Sequence, residues 1–227
     1  MKKFLLFVVA TMLLGTASAQ DWQKHILGVR GGVNFSKVDV ELFDFDMRTS
    51  GHIGVSYEYK LLKDNPLYLE TGLYLIDKGF KFNTSDYYDG DDEYYYSDDY
   101  YYEDDYYEIE GDIKASMLYL QVPVMLNYKF NLQDVMTIYP SAGFYYAYGI
   151  AGKIKSDDGD IDAFGSDGLA DRSDFGLRLG VSAIWKKFVF GVSYEAGLTN
   201  ILEGEADEAF SLEGKHKSIY ISVGYNF

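Results

Sequence analysis

The chain has 227 residues, a formal net charge of −16 at pH 7 and no cysteine. The absence of cysteine excludes disulfide bonds, thiolate metal sites and a lipidated N-terminal cysteine. The acidic balance, with no basic patch, argues against nucleic acid as a partner. The length is enough for one domain of eight strands with long loops.

The N-terminal segment predicts a signal peptide over residues 1–19. Lys2 and Lys3 supply its positive charge, residues 4–14 its apolar core and residues 17–19 a cleavage site of small residues. The alternative is an uncleaved membrane helix, but the apolar run is well short of the ~20 residues that a spanning helix needs. We therefore expect an exported mature chain, 20–227, whose net charge falls from −16 to −18 with the loss of the two lysines.

Alternation of apolar and polar residues predicts eight strands in the mature chain. The clearest is 115–130, although Pro123 within it predicts a bulge, because proline cannot donate to a strand ladder. In the third strand the alternation slips near Ile76 and Asp77, which indicates either a bulge or a part of the strand above the membrane. The predicted strands cover residues 26–35, 50–60, 67–82, 115–130, 137–152, 173–185, 188–199 and 217–227.

The last strand has one apolar face and one small, polar face. It ends in two aromatic residues of the apolar face, Tyr225 and Phe227, and its length of ~10 residues suits a tilted crossing of a bilayer. Because lipid does not tolerate an open strand edge, this strand is expected to pair with the first one, around Val29 and Val33. Tyr225 and Phe227 also resemble the C-terminal aromatic signal that the barrel-assembly machinery recognises.

The connections alternate between long and short. The three short ones have about six, six and two residues, the last being Lys186-Lys187, and the four long ones have roughly fourteen to thirty-one. A soluble sandwich has no reason for this separation, and it would bury the apolar faces that carry large aliphatic and aromatic residues here. The pattern predicts an all-β fold: an eight-stranded antiparallel up-and-down transmembrane β-barrel in the bacterial outer membrane, with four long extracellular loops.

Three short motifs carry a family resemblance. Residues 119–128 resemble a "YLQIPLLLKY" strand, residues 197–201 match "GLTNI", and residues 28–35 are similar to "GVKGGLNFS". These motifs, in their order along the chain, resemble those of the small outer-membrane barrels of Bacteroidota, a family that includes the PorT-like proteins. The resemblance implies an eight-stranded barrel but no single activity. PorT itself assists type IX secretion, and nothing in the sequence singles out that role.

Several charged residues are expected to face the lumen. Because the interior of an eight-stranded barrel is narrow, these groups must pair or remain hydrated. One interpretation is a salt-bridged plug in which the glutamates pair with the two arginines, and the other is a polar conduit for protons or small ions. The predicted network consists of Arg30, Glu58, Glu70, Arg178 and Glu195, and Lys60 and Lys129 face the same side.

Residues 83–113 form the strongest anomaly of composition, with thirteen acidic residues, ten tyrosines and no lysine or arginine. One interpretation is a solvated loop at the barrel rim. The other is a contact region for a cationic surface partner, or for Mg²⁺ or Ca²⁺ ions that bridge to lipopolysaccharide phosphates. The candidate residues are Asp91, Asp92, Glu93, Asp98, Asp99, Glu103, Asp104 and Asp105.

The remaining motifs do not indicate a metal site or an enzyme. An EF-hand that starts at Asp158 fails, because Ala163 stands where glycine is needed and Leu169 where glutamate is needed, so only weak Ca²⁺ binding is expected. A hydrolase at the outer rim would need a histidine tied to a serine or aspartate, and no motif connects His52 or His216 to one. We expect no catalytic residues and no cofactor.

The sequence therefore predicts a non-enzymatic barrel with a structural or surface-interaction role, whose contact region is the acidic loop at 83–113. Outer-membrane lipid and lipopolysaccharide are its expected surroundings. The alternative is a narrow porin-like transport barrel or an accessory of type IX secretion.

Overall fold

The computed structural model describes residues 24–40, 43–44, 46–83, 112–132, 135–156, 159–164, 170–202 and 214–227. These residues form one antiparallel sheet. Within them, no helix is long and apolar enough to cross a membrane. The strands are β1 (His25–Val40), β2 (Phe43–Asp44), β3 (Asp46–Leu62), β4 (Asn65–Lys78), β5 (Phe80–Asn83), β6 (Asp112–Tyr128), β7 (Phe130–Leu132), β8 (Met136–Ser156), β9 (Gly159–Asp162), β10 (Ser173–Trp185), β11 (Phe188–Gly197) and β12 (Gly214–Asn226).

Eight of these strands close into a barrel, and β2, β5, β7 and β9 are short additions to it. Strand β1 pairs with β3 on one side and with β12 on the other, so the wall has no open edge. Val29 lies opposite Tyr225 and Val33 opposite Ile221. The predicted eight-stranded antiparallel barrel, closed by its first and last strands, is confirmed.

Side chains alternate across the wall as the sequence indicates. On β6, Leu126 is 48 % exposed on the outer surface, whereas its neighbour Asn127 is fully buried inside. The same alternation on β12 exposes Ile221 and Val223 and buries Tyr220 completely. A large apolar surface thus faces outward, which suits lipid, and the polar side chains fill the interior.

The two ends of the barrel differ in their connections. At one end, called the turn end, β3, β7 and β10 lead into the next strand through short turns, and Trp185 pairs with Phe188 across the two-residue turn Lys186-Lys187. At the other, called the loop end, the connections are longer and the strands extend beyond their predicted limits, to Val40 on β1 and Ser156 on β8.

The bulge predicted at Pro123 is wrong. Pairing between β4 and β6 keeps one register on both sides of the proline, from Thr71 opposite Val124 to Tyr74 opposite Gln121. The Thr71 hydroxyl donates a hydrogen bond of 2.8 Å to the Pro123 carbonyl. The strand ladder therefore accommodates the proline without an extra residue.

The register of β6 shifts elsewhere. The irregularity lies between Leu118 and Tyr119, opposite Ala151 and Gly149 of β8. Ile150 is the extra residue of this bulge, because it stands between these two partners. The bulge therefore lies four residues before the proline.

Of the two explanations for the slip near Ile76 and Asp77, a bulge in β4 is wrong. Strand β4 stays in register up to Lys78, which lies opposite Met117, and the strand breaks only at Gly79. Ile76 is apolar but fully buried in the lumen, and Asp77 is acidic but lies on the outer side, where it pairs with Arg48 at 2.7 Å. This local exchange of polarity produces the apparent slip in the pattern.

Several sequence predictions lie outside the described residues. They are the signal peptide at 1–19, the acidic stretch from 84 to 111 with all eight candidate residues, and the start of the rejected EF-hand at Asp158.

Candidate functional site in the barrel lumen

The pairing register brings charged side chains together inside the barrel. Arg178 on β10 lies directly opposite Glu195 on β11, and Glu58 on β3 lies directly opposite Glu70 on β4. The lumen holds two ionic groups. The loop-end cluster consists of Lys78, Asp174, Arg178, Glu195 and His216, and the turn-end cluster consists of Arg30, Glu58 and Lys129.

Glu195 is the best-satisfied carboxylate of the loop-end cluster. One oxygen lies 3.2 Å from Lys78 Nζ and the other 3.3 Å from Arg178 Nη1. Gln121 Nε2 and the Tyr220 hydroxyl each donate a hydrogen bond of 2.6 Å to it. Two cations and two neutral donors therefore replace the water that this buried carboxylate lacks.

Asp174 is held in the same way. Lys78 Nζ lies 3.0 Å from its Oδ2 and His216 Nδ1 lies 3.1 Å from the same oxygen. The Tyr145 hydroxyl donates to Oδ1 at 3.1 Å, and the Tyr145 ring lies 4.3 Å from the Lys78 ammonium. Lys78 is thus fully buried between two carboxylates and an aromatic face, an arrangement that compensates its charge.

The turn-end cluster is less completely satisfied. Glu58 pairs with Arg30 at 3.5 Å and contacts the Lys129 ammonium closely. Arg30 Nη2 donates to Asn226 Oδ1 at 2.7 Å, and Lys129 Nζ lies 4.2 Å from the centre of the Tyr68 ring. Neither oxygen of Glu58 accepts a hydrogen bond of regular geometry from the described residues.

Glu70 lies between the two clusters. The sequence suggested that it pairs with Arg30 or Arg178, but among the described residues no cationic nitrogen lies within 4.0 Å of its carboxylate. Its partner is Asn127, whose Nδ2 donates at 2.5 Å. A cavity of about 60 Å³ adjoins Glu70 and separates Arg30 from Arg178. The single network predicted from sequence is therefore two networks, with Glu70 and its hydrogen bond from Asn127 between them.

An apolar cap covers the lumen at the loop end. Phe164, in the connection after β9, packs edge-on against Tyr119 with 5.6 Å between ring centres. Arg172 fixes it by donating to the carbonyls of Phe164 at 2.7 Å and Gly149 at 3.0 Å. The buried residues of the cap are Ala163, Phe164, Ala170 and Ile201.

The two lumen histidines have partners that no sequence motif revealed. His52 Nε2 lies 2.9 Å from Ser222 Oγ, and His216 Nδ1 contacts Asp174. Both rings are more than nine-tenths buried inside the barrel. In the described part of the chain, no group of three histidine or acidic residues is arranged to hold a metal ion.

Sequence reasoning missed Lys78, Asp174 and His216, although each obeys the alternation. Asp174 is four residues from Arg178 and Lys78 is eight residues from Glu70, and an even separation on a strand places both side chains on the same inward face. His216 lies one residue before the predicted last strand. Lys78 and Asp174 already lie within predicted strands, and extending the last strand by one residue toward the loop end would have placed His216 in the lumen as well.

The candidate assembly residues lie on the outer surface at the turn end. The rings of Tyr225 and Phe227 are 5.6 Å apart, and Phe188 packs edge-on against Tyr225 at 5.5 Å. They form part of an aromatic border below the apolar outer surface.

Comparison with known proteins identifies the type of barrel. A family model described as "Outer membrane protein beta-barrel domain" matches residues 18–203. A comparison with curated proteins finds no significant match.

Three solved structures of outer-membrane proteins align over most of the chain. Ail, the attachment invasion locus protein of Yersinia pestis, is 14 % identical with a TM-score of 0.44, covering 90 % of this chain and 100 % of Ail. Neisserial surface protein A is 11 % identical with a TM-score of 0.45, covering 88 % and 97 %. The outer membrane enzyme PagL is 11 % identical with a TM-score of 0.42, covering 88 % and 98 %. At such values these similarities carry no argument about function.

Proposed function

Because the chain belongs to the outer membrane protein β-barrel domain family, we propose that it is a non-conducting, non-enzymatic barrel that acts at the cell surface through its loop end. The observation that carries this proposal is the filled lumen. If the lumen does not conduct, the function depends on the exposed surfaces of the barrel.

Buried ion pairs and packed side chains fill the loop-end part of the lumen in the described structure. The loop-end cluster joins four strands, β4, β10, β11 and β12, across the interior, and the apolar cap covers it. An eight-stranded barrel has an interior only wide enough for side chains. A passing solute would have to break buried ion pairs, and separating one such pair costs about 3–5 kcal/mol.

The acidic segment supports a role in surface contacts. Asn83 on β5 pairs with Asp112 on β6, so the segment leaves and re-enters the barrel at adjacent, paired strand ends of the loop end. Its twelve carboxylates attract a cationic partner or divalent ions, and its tyrosines supply contact area at low entropic cost. We propose residues 84–111 as the contact region.

A row of lysines supports contact with the outer leaflet. Lys81, Lys114 and Lys155 lie directly opposite one another on β5, β6 and β8, and all three are exposed. Among the described residues, none of them forms an ion pair within 4.0 Å. Like charges in register repel each other, so the row favours an external anion.

The height of this row fits lipid phosphates. Lys114 lies four residues beyond Leu118 on the same strand, roughly 13 Å farther from the apolar surface at the usual rise of a strand. Phosphate groups of lipopolysaccharide would lie just outside the hydrocarbon layer, so we propose them as the anion.

Export and assembly complete the proposal. Cleavage after residue 19 would release the mature chain, and Tyr225 and Phe227 would present the aromatic signal to the assembly machinery. The loop end would then face outward. The three motifs at 28–35, 119–128 and 197–201 support a place among the PorT-like barrels of Bacteroidota.

Shortening the acidic segment tests the proposal. Because Asn83 and Asp112 are paired, residues 85–110 can be replaced by a two-residue Asn-Gly turn. We expect the variant to keep the heat-modifiable gel mobility of a folded barrel and to lose the partners that the intact chain recovers from outer membranes. Chelator should release from the intact chain those partners that bind through divalent ions.

A charge-neutralised variant of the same length separates the contribution of the carboxylates from that of the tyrosines. Replacing its acidic residues by Asn and Gln keeps the tyrosines, so retained binding would assign contact to the aromatic rings. Full binding by the shortened barrel would overturn the proposal and favour the narrow transport or type IX secretion-accessory role.

A further inference from the structure

The turn end opens into a basic cavity, the turn-end vestibule. It has a volume of about 730 Å³, and its lysines are Lys60, Lys129, Lys186 and Lys187. This positive mouth belongs to a chain whose net charge is −16. The vestibule lies at the opposite end from the acidic segment, so it goes beyond the proposed surface function.

Three of these lysines lack an ion pair in the part of the chain that the structure describes. Among the described residues, Lys60, Lys186 and Lys187 form no ion pair within 4.0 Å. Glu58, the carboxylate at the floor, is already held by Arg30 and Lys129. The vestibule therefore has an excess of positive charge that a ligand could compensate.

Aromatic rings and a fixed turn position these cations. Lys186 Nζ lies 4.9 Å from the centre of the Trp185 ring, and Lys187 Nζ lies 5.7 Å from that of Tyr225. Lys186 itself adopts a left-handed backbone conformation, with φ of 58°, in the two-residue turn between β10 and β11. The ammonium groups are thus held at the rim before any anion arrives, which lowers the entropic cost of binding.

The lining shows from which side a ligand enters. Lys60, Tyr68, Ile184 and Asn226 occupy inward positions of their strands, so the vestibule is the mouth of the lumen and not a groove on the lipid-facing wall. A lipid headgroup would have to leave its leaflet to reach it. The ligand must therefore come from water.

The size and mixed lining of the vestibule favour a peptide over a small ion. A volume of about 730 Å³ is in the range of sites for ligands of drug size. Beside the lysines it exposes the amide side chain of Asn131, the inward-facing Ile26 and Ile184, and Phe227 at the outer rim. We propose that the turn-end vestibule binds an acidic peptide segment of a water-soluble periplasmic protein, with carboxylates on the lysines and apolar side chains on the inner wall.

Binding of a defined peptide to the full chain in lipid nanodiscs tests this inference. The probe is a fluorescent peptide of alternating Asp and Leu, and its control is the same peptide with Asn in place of Asp. We expect the acidic peptide to bind and the neutral one not to bind. Removing the three free cations with Lys60→Gln, Lys186→Gln and Lys187→Gln should weaken binding by about tenfold or more, since each exposed ion pair contributes modestly.

A matched variant removes the same charge from the other end. Lys37→Gln, Lys215→Gln and Lys217→Gln act at the loop end, so they should leave the affinity for the acidic peptide within about twofold, because these charges lie more than a Debye length from the vestibule. Because a triple change at the turn end could impair folding, the single variant Lys187→Gln in the exposed turn provides a second measurement, with a smaller loss expected.

Several outcomes would overturn the inference. The first is an affinity of the turn-end variants for the acidic peptide equal to that of the unchanged chain, and the second is a loss of affinity in the loop-end variant as large as that in the turn-end variant. The third is binding of the neutral peptide. The fourth is complete displacement of the acidic peptide by inorganic phosphate at the same concentration. The last result would assign the vestibule to a small anion.

Discussion

The loop-end and turn-end clusters contain the same kinds of groups but differ in how completely these groups are satisfied. In the loop-end cluster, Glu195 and Asp174 each contact cations and neutral donors. In the turn-end cluster, Glu58 has two cations and no regular hydrogen bond from the described residues. Burial of charge is offset only where the remaining lone pairs find donors. The comparison shows that the buried carboxylates at one end of the lumen are compensated by cations and neutral donors, whereas Glu58 at the other end is compensated by cations alone.

The surroundings of the two clusters follow the same division. The loop-end cluster lies beneath the apolar cap, away from water. The turn-end cluster forms the floor of the vestibule of about 730 Å³, where water can reach Lys129 and its neighbours. The sealed end stabilises the barrel, and the open end has room for a ligand.

Removing the central cation of the loop-end cluster should have the largest effect. Lys78→Met leaves Asp174 and Glu195 buried with one cationic partner fewer each, and we expect the free energy of unfolding to fall by about 3–5 kcal/mol. Lys129→Met should cost less, because Glu58 keeps Arg30 and water can enter from the vestibule. Urea unfolding in lipid vesicles measures both, and an equal or larger loss in Lys129→Met would remove the distinction between the clusters.

The two glutamates should respond differently to neutralisation. Glu195→Gln removes a charge that faces two cations, so we expect a loss of about 3 kcal/mol or more. Glu70→Gln removes a charge without a cation within 4.0 Å among the described residues and should change stability by less than about 1 kcal/mol. The same unfolding assay compares them. A larger cost at Glu70 would show that its carboxylate is ion-paired after all.

The apolar cap can be disturbed from the barrel wall. A methyl group added at Gly149 would lie 2.3 Å from the Phe164 ring, so Gly149→Ala should displace the cap and cost about 1–3 kcal/mol. Gly51→Ala is the matched control, because its nearest neighbour in space would be the Gly32 carbonyl at 3.6 Å. Equal stability of the two variants would show that the cap does not pack against the wall.

An exposed ion pair should contribute least, despite its short distance. Lys217 Nζ lies 2.5 Å from Asp39 Oδ2, closer than Lys78 lies to Asp174, but both partners are at least 40 % exposed. We expect Lys217→Gln to cost less than about 1 kcal/mol, because solvent screens the pair. A double-mutant cycle with Asp39→Asn measures the coupling. A value near that of the buried pairs would mean that distance outweighs burial here.

Alternation predicted the wall of the barrel because a strand that separates lipid from a polar interior must repeat every two residues. It predicted closure for the same reason, and β1 pairs with β12 as expected. The local errors arose at Ile76, a buried apolar residue that fits among aromatic rings of the lumen, and at Pro123, which the strand ladder accommodates without a change of register.

The division of the lumen into two clusters could not be predicted from alternation alone. It depends on which charged side chains lie at the same height along the barrel axis. The pairing register and the tilt of the strands determine these heights. Arg178 and Glu195 meet across neighbouring strands, but Lys78 reaches Asp174 from a strand that is not its neighbour in the sheet. Alternation gives the direction of a side chain, whereas such contacts across the barrel need the closed wall.

Conductance of the full chain across a planar lipid bilayer tests the central claim that the lumen is closed. We expect no steady ionic current, either with the intact chain or after residues 85–110 are replaced by a short turn, because the loop-end cluster and the apolar cap block the interior independently of that segment. Steady conductance that persists without the segment would contradict a closed lumen and support a transport barrel.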